Sequence, residues 1–280
     1  MDSPVLIHTI VYSEESYAAL EEGFLLLDYR DNVRPDWREY WPIRRFLLSQ
    51  ALVPGAYYGF FSPKFSSKTG LSHGGVVRFM ASAPSDTDVF TFSPQPDMGA
   101  FFLNVFEQNE LFDPGFLTIA QELFTAVDFA VDLRSLVMDS RHVVFSNYVV
   151  AKSDFWLVWL ELCEKIFDFC ERGGTELAAQ MCDETTYQGI PRKVFLIERI
   201  ASLLLRIGQW QIKPYDTFAC AWSALGTSQF QHEAVISDAL KFAYNELGHP
   251  EYFSGFSEVR NNVFFQNRSG HDAGFTADSR

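Results

Sequence analysis

The segment of residues 32–47 combines side chains suited to bind an anionic ligand. It carries four arginines, two tryptophans and a tyrosine, in the order Arg34, Trp37, Arg38, Tyr40, Trp41, Arg44 and Arg45. Arginine forks match phosphate and carboxylate groups bidentately, and aromatic faces stack on planar or apolar ligand faces. We interpret the segment as part of a site for an anionic, ring-containing ligand, with a nucleotide sugar as the first candidate. The alternative is a structural role, in which the arginines pair with local acids on a packed helix.

Two predicted strands end in similar polar turns. Residues 59–64 read Gly-Phe-Phe-Ser-Pro-Lys, and residues 89–97 read Val-Phe-Thr-Phe-Ser-Pro-Gln-Pro-Asp. Because ligands bind outside the carboxyl ends of strands in open α/β sheets, the last residue of each turn is a candidate ligand contact. Lys64 suits a diphosphate, and Asp97 suits a sugar hydroxyl, a metal or proton abstraction. The alternative is that both are ordinary turns.

Three further side chains are candidates for chemistry or binding. Glu107 follows Phe106 in a predicted helix, and partial desolvation there raises a carboxyl pKa toward the range of a general base. The alternative for Glu107 is a solvated helix surface. Asn147 and Lys152 lie at either end of a predicted strand, so each is a candidate ligand donor at its end.

Composition and charge limit the classes of function. The chain has 280 residues and a formal net charge of -14, from 22 basic and 36 acidic residues. Such an acidic protein is a poor general binder of nucleic acid, and at most a peripheral binder of anionic membranes. We find no signal-peptide pattern, no stretch of about 20 apolar residues and no C-x-x-C spacing among the four cysteines. These features predict a cytoplasmic protein with free thiols.

The order of predicted elements favours an α/β fold. Strands are predicted at residues 5–11, 56–61 and 88–92, and residues 141–151 are predicted to form either a fourth strand or a hairpin around residues 146–147. Helical patterns lie between them, the strongest at residues 155–171, and the pattern is helical from residue 190 onward. Alternating strands and helices indicate one open sheet flanked by helices. The tail from residue 266 is rich in polar residues and is predicted to be disordered.

Several of these segments resemble bacterial glycosyltransferases of surface-polysaccharide gene clusters. The resemblance rests on an early strand, a Tyr-Gly-Phe-Phe strand, a Ser-Pro-x-x-Asp strand end, and the sequence Asn-Tyr-Val-Val-Ala-Lys-Ser-Asp-Phe-Trp at residues 147–156. Phe-Leu-Ile-Glu-Arg at residues 195–199 is similar to a helix that such enzymes often carry after the donor domain. The similarity extends in loose pieces over residues 5–205.

The resemblance implies a GT-A-like open mixed sheet flanked by helices, with a C-terminal helical region. It implies a nucleotide-sugar-binding domain at residues 1–189, a helical region at 190–265 and a disordered tail at 266–280. The implied partners are a nucleotide-sugar donor and a glycan acceptor. In this interpretation Arg34, Arg44 and Lys64 neutralise the diphosphate, and Trp37, Trp41 and Tyr58 shape the base or sugar pocket. Asp97 then binds the sugar or a metal, and Glu107 is the base for the acceptor hydroxyl.

The chain departs from this family in its metal-binding motif. GT-A enzymes usually hold the diphosphate through a metal on an Asp-x-Asp pair at a strand end, whereas Asp86-Thr87-Asp88 precedes its strand. Two alternatives stay open. Either Asp97 alone holds Mn²⁺ or Mg²⁺, or the enzyme is metal-independent and uses Arg34, Arg44 or Lys64 on the diphosphate, since cations and metals stabilise the same developing charge.

Two other functions compete with the transferase. The first is a non-catalytic carbohydrate- or protein-binding component of a polysaccharide assembly system, which would share the fold without the chemistry. The second is a hydrolase that uses Asp97 and Glu107 as a carboxylate pair. Donor hydrolysis separates the enzyme from the binding component, and cleavage without any nucleotide marks the hydrolase.

Overall fold

A computed structural model of the chain describes residues 3–184 and 187–271, without the side chains of residues 187 and 265–271. The described strands are β1 (Val5–Val11), β2 (Leu25–Asp28), β3 (Tyr57–Phe61), β4 (Val89–Thr91), β5 (Val149–Lys152) and β6 (Ile212–Pro214). The described α-helices are α1 (Glu14–Ala18), α2 (Tyr40–Ser49), α3 (Phe65–Thr69), α4 (His73–Ala81), α5 (Pro96–Ala100), α6 (Val105–Asn109), α7 (Phe116–Ala126), α8 (Ser153–Arg172), α9 (Glu176–Cys182), α10 (Arg192–Ile207), α11 (Gln231–Leu247) and α12 (Pro250–His271).

The strands form one mixed sheet in the order β2-β1-β3-β5-β4-β6. Strand β1 pairs in parallel with both β2 and β3, and β4 pairs in parallel with β6. Strand β5 lies between β3 and β4 and runs antiparallel to both. The carboxyl ends of the other five strands therefore meet at one edge of the sheet, together with the amino end of β5. The predicted α/β class with an open mixed sheet flanked by helices is confirmed at this level.

Helices cover both faces of the sheet, and alternate residues of the strands enter two cores. In β3, Tyr58 and Phe60 belong to the larger core, which includes residues of α2, α7, α8 and α10, whereas Tyr57 and Phe61 face α3 and α4. This alternation follows from the two-residue period of a strand. Because both faces are covered, all five residues of β3 are buried, and the segment reads as a continuous apolar run.

Gly59 is required in the centre of this sheet. A Cβ atom at Gly59 would lie 2.9 Å from a methyl group of Val150 and 3.2 Å from one of Ile7. The missing side chain therefore lets β1, β3 and β5 approach each other, which explains a glycine inside a buried strand.

Several element boundaries follow from the chemistry of neighbouring residues. Ser13 caps α1, and Ser13 and Ser16 form a reciprocal capping box. Gly248 ends α11 in a left-handed conformation, which is the usual role of a glycine at the end of a helix. The strong amphipathic pattern predicted at residues 155–171 corresponds to α8.

Three predictions need correction. The region predicted to be helical from residue 190 also supplies strand β6, which is only three residues long and therefore leaves no periodic signal. Of residues 141–151, only 149–151 are in a strand. Helix α12 continues through residue 271, so residues 266–271 are helical rather than disordered, while residues 272–280 of the predicted tail lie outside the described part.

The larger core contains residues from both sides of the domain boundary expected after residue 189. Residues of α10 between 196 and 205 pack in the same cluster as residues of β1, β3 and α8. The four cysteines are free, as predicted. None of the helices in the described ranges combines the length and the apolar character that crossing a bilayer requires.

Candidate functional site

A cleft of about 460 Å³ opens at the edge of the sheet where the carboxyl ends of the parallel strands meet. The chain leaves β1 toward β2 on one side and leaves β3 toward β4 on the other, so β1 and β3 flank a point where the connections diverge. Open α/β sheets bind ligands in the crevice at such a point. This cleft is therefore the primary candidate site.

Segments that are far apart in the sequence line the cleft. Tyr12 follows β1, Tyr29 follows β2, and Ser62, Lys64 and Lys68 follow β3. The remaining polar or charged residues that line it are Asn32, Arg38 and Glu39 from the β2–α2 connection, Ser146 from the segment before β5, and Glu198 from α10. The apolar part of the lining comes from Ile10, Pro35, Ile190, Val194 and Phe195.

The cleft contains two carboxyl groups whose pKa values are raised above the ordinary value of a glutamate. Burial, followed by the negative charge of Glu198, raises the pKa of Glu39 to about 8, and the positive charges of Lys68 and Lys64 partly oppose the change. Burial also raises the pKa of Glu198. Carboxyl groups with raised pKa values in a cleft are candidates for proton transfer near neutral pH.

Two lysines share the cleft with these carboxyl groups. Lys64 is exposed, and its side-chain amine forms no hydrogen bond or ion pair with any described residue. The Lys68 amine donates a hydrogen bond to Ser146 Oγ at 2.8 Å. Burial lowers the pKa of Lys68, while the charges of Glu39 and Glu198 raise it. Cations beside an open cavity are suited to bind phosphate or carboxylate groups.

The backbone around the cleft is strained. Seven non-glycine residues in the described ranges have left-handed φ angles, and three of them line the cleft: Asn32 (39°), Arg38 (47°) and Ser146 (62°). Asn147, at 53°, adjoins Ser146. Such conformations cost about 1–3 kcal/mol each and concentrate at functional sites. This concentration is an observation independent of the charges that also points to the cleft as the candidate site.

Of the predicted site residues, Lys64 lines the cleft and Asn147 lies next to it. Asn147 is buried, and its Oδ1 atom has no hydrogen-bond partner among the described residues. Both residues were predicted from their positions at strand ends, and the sheet brings those ends to one edge.

The arginines and tryptophans of the site predicted at residues 34–44 pack against α8, so they have the structural role given as the alternative, although Glu164 and Glu171 are distant in the sequence rather than local acids. Arg34 pairs with Asp36 at 2.8 Å and with Glu171 at 2.6 Å. Arg44 pairs with Glu164 at 2.6 Å. Both guanidinium groups also lie over the ring of half-buried Trp41, at 5.2 and 5.3 Å from its centroid.

Trp37 and Tyr58 are core residues rather than walls of a ligand pocket. The Trp37 side chain is 0% exposed, and its Nε1 donates to Glu171 Oε1 at 3.0 Å. Tyr58 is buried, and its hydroxyl accepts a hydrogen bond from the Val53 amide at 2.9 Å. Neither residue lines the cleft.

Lys152 lies at the opposite end of the sheet from the cleft. Its amine pairs with Asp88 at 2.9 Å, and Asp88 also accepts a hydrogen bond from the Gln211 amide. Because β5 runs antiparallel to its neighbours, its carboxyl end lies at the edge away from the cleft. The predicted role of Lys152 as a ligand donor is therefore corrected to an ion pair, and the Asp86-Thr87-Asp88 sequence lies near that same edge.

Asp97 is enclosed rather than presented to the cleft. Its side chain is 1% exposed, and it accepts hydrogen bonds from the Ser223 amide at 3.1 Å, from the Ser223 hydroxyl, and from the Thr227 hydroxyl at 2.5 Å. These three donors occupy the carboxylate, and no group of three or more His, Cys, Asp or Glu residues in the described ranges includes it, whereas Mn²⁺ and Mg²⁺ are usually held by carboxylates and other free oxygen ligands. Asp97 therefore fixes the loop at residues 223–227.

We expect Asp97→Asn to lower the free energy of unfolding by about 1.5–3 kcal/mol, because it weakens hydrogen bonds to a buried charge. Urea unfolding curves measure this change, and Asp168→Asn on the exposed side of α8 is the matched control. Unchanged stability combined with lost activity would restore the catalytic assignment of Asp97.

Glu107 lies in the first turn of the short helix α6, which Asn104 caps, and it forms an ion pair. Its carboxylate accepts from the Leu103 amide at 2.6 Å and pairs with Arg260 of α12 at 2.8 Å. It does not line the cleft, so the predicted role as a general base is not supported by its position. No group of three or more His, Cys, Asp or Glu residues in the described ranges is placed to hold a metal ion.

Sequence reasoning did not assign a role to Glu39, Lys68 or Glu198. One local signal was available, because Lys64 and Lys68 are four residues apart directly after a strand, a spacing that places both on one side of a helical turn. Glu198 had no such signal, since only the packing of α10 brings it to the cleft.

Comparisons of the chain with protein-family models, with curated proteins and with solved structures found no match.

Proposed function

We propose that this chain is a glycosyltransferase that moves a sugar from a nucleotide-sugar donor to a glycan acceptor in surface polysaccharide biosynthesis, and that the cleft at the β1–β3 edge holds the donor. Two lysines and two carboxyl groups of raised pKa line the same cleft, at the edge of the mixed sheet where the connections from β1 and β3 diverge. This observation carries the proposal. A mixed sheet with a ligand-sized cleft at its strand ends is also what a GT-A-like fold requires, and this supports the finer assignment.

Lys64 and Lys68 bind the phosphate groups of the donor in this proposal. When the bond between the anomeric carbon and the phosphate oxygen breaks, its electron pair leaves with the nucleotide. The ammonium groups stabilise the negative charge that develops there, in the way that a metal ion or arginine clamp does elsewhere. The roles first assigned to Arg34 and Arg44 thus pass to the two lysines of the cleft.

Glu39 is the proposed proton acceptor. As the acceptor hydroxyl oxygen forms its bond to the anomeric carbon, its proton moves to the Glu39 carboxylate. A base with a pKa of about 8 is well matched to this step, because proton transfer is most efficient when the pKa lies near the working pH. Burial keeps the pKa of Glu39 high, and the negative charge of Glu198 adds to this effect.

Lys64→Ala is expected to weaken nucleotide-sugar binding by about tenfold or more, because it removes one charge-assisted contact. Its stability should change little, since the side chain is exposed and unpaired among the described residues. Lys165→Ala is the matched control, because Lys165 is also an exposed lysine but lies on α8 outside the cleft.

The test begins with thermal shifts of the wild type against UDP, GDP, CMP and dTDP and their sugars, with and without Mn²⁺. A ligand that binds the native state raises the melting temperature by mass action. A shift that Lys64→Ala reduces and Lys165→Ala keeps, followed by release of nucleotide in the presence of a glycan, supports the transferase. Glycan binding without any nucleotide binding or turnover contradicts it and favours the non-catalytic binding component.

A further inference from the structure

The Arg38 side chain differs from the other arginine side chains of its segment, because it has no partner in the described part of the chain. Arg34, Arg44 and Arg45 each form an ion pair of 2.8 Å or less, with Asp36, Glu164 and Asp31 respectively. The Arg38 side chain forms no hydrogen bond, ion pair or ring contact with any described residue, and it lines the cleft. In a chain with a net charge of -14, an unpaired guanidinium beside a cavity calls for a physical explanation.

The backbone at Arg38 is held in an unfavourable conformation. Its φ and ψ angles are 47° and −132°, in a region that favours glycine. Arg38 follows the short 3-10 helix Pro35–Trp37 and lies just before α2. A residue with a side chain persists there only if its surroundings impose the conformation.

Two buried aromatic residues impose it. Trp37 donates to Glu171 at 3.0 Å, and Tyr40 donates to Glu164 Oε1 at 2.5 Å, so both are fixed to α8. Their rings lie 5.3 Å apart. With Trp37 and Tyr40 anchored to α8, the two residues between them, Arg38 and Glu39, are directed to the cleft instead. The structural cluster therefore positions both charged residues.

We propose that Arg38 is a ligand-binding residue whose free guanidinium fork receives an anionic group of the substrate, and that the anchors on either side hold it in place before the ligand arrives. This inference rests on the proposed function of the cleft. The anionic group is either a phosphate of the donor or a carboxylate on the transferred sugar, since both match the fork bidentately. Holding the residue in advance reduces the conformational entropy lost on binding.

The experiment measures binding by calorimetry for Arg38→Ala and Arg38→Lys, with Arg45→Ala as the matched control outside the cleft. The probes are inorganic pyrophosphate, UDP-glucose and UDP-glucuronate, together with any nucleotide sugar that stabilises the wild type. We expect Arg38→Ala to weaken binding by about 10–100-fold. Arg38→Lys should recover only part of the loss, because an ammonium group lacks the planar fork.

The pattern across the probes identifies the anionic group. An equal loss for pyrophosphate, UDP-glucose and UDP-glucuronate assigns Arg38 to phosphate, and a loss confined to UDP-glucuronate assigns it to the sugar carboxylate. Wild-type affinity of Arg38→Ala for every probe, with binding lost in Lys64→Ala, overturns this inference alone. No binding of any probe to the wild type contradicts the proposed function itself.

The strain has a readout that needs no ligand. Arg38→Gly and Arg38→Ala remove the same guanidinium, but only glycine removes the Cβ atom that disfavours this backbone conformation. We expect the melting temperature of Arg38→Gly to exceed that of Arg38→Ala by about 2–4 °C. An equal or lower melting temperature for Arg38→Gly would show that the conformation is not strained and would remove the positioning argument.

Discussion

Replacing Glu39 with glutamine is expected to lower sugar-transfer turnover by about 10²–10⁴-fold, the usual contribution of a positioned general base. Glutamine keeps the size and the hydrogen-bonding capacity of the side chain but cannot accept the proton of the acceptor hydroxyl. Donor binding should therefore be nearly unchanged. Steady-state rates at saturating donor measure the loss, and Glu122→Gln on the exposed surface of α7 is the control.

The pH dependence of the wild type provides a second measurement on the same residue. Because the pKa of Glu39 is raised to about 8, its reactive ionised form is the minor form at pH 7, and kcat/KM should rise as the pH passes through 8. Glu198→Gln removes a nearby like charge, so it should move the midpoint of this rise to lower pH. A profile that is flat between pH 6 and 9 in both proteins would contradict the assignment of Glu39 as the base.

Glu39→Gln should also stabilise the fold at alkaline pH. The pKa of Glu39 is higher in the folded than in the unfolded chain, so ionisation above its unfolded value near 4.5 progressively destabilises the folded state until the pH passes 8. Glu39→Gln removes this penalty, and we expect a gain of about 1–3 kcal/mol at pH 9 and almost none at pH 4, after allowance for the partial exposure of the side chain. Chemical unfolding at both pH values measures it, and an alkaline loss of stability would contradict the burial of this charge.

Trp37→Ala is expected to lower the free energy of unfolding by about 3–5 kcal/mol, the range for a large aromatic residue in a packed core. Trp37 is 0% exposed, contacts the rings of Tyr40 and Phe167, and lies beneath the Lys193 amine at 4.3 Å. The truncation opens a cavity and leaves Glu171 without its indole donor. Urea unfolding measures the loss.

A surface residue on the neighbouring helix provides the comparison for Trp37. Leu48 of α2 is 54% exposed, and Leu48→Ala should change the stability by less than about 0.5 kcal/mol. If Trp37→Ala kept the wild-type stability and abolished ligand binding, the initial interpretation of the tryptophan as a ligand-stacking residue would be correct after all.

Local patterns were sufficient to predict the parts of the fold that depend on neighbouring residues. The β-branched run of β1 and the amphipathic stripe of α8 each appear in consecutive sequence. Strand β6 was missed because its three residues pair with β4, more than 100 residues earlier in the chain. That pairing is a tertiary contact for which a single sequence contains no short-range signal.

In the candidate site, too, residues marked by local sequence were predicted and residues placed by distant contacts were not. Lys64 was predicted because a strand end is visible in the sequence, and the sheet places that end at the cleft. The arginines at positions 34 and 44 were assigned to a ligand because their partners, Glu171 and Glu164, lie more than 100 residues away on α8. Glu198 was missed for a related reason. The sequence pattern of α10 identifies the apolar face of the helix, but it does not show that Glu198 borders a cavity.

The parallel pairing of β4 with β6 has a consequence for synthesis of the chain. Val89 pairs with Ile212, so β4 keeps one unpaired edge until residues 212–214 have left the ribosome. An unpaired strand edge is a template for wrong association, and a nascent chain at this stage exposes one. Shortened chains that end before residue 212 should therefore aggregate, even though they contain the other five strands.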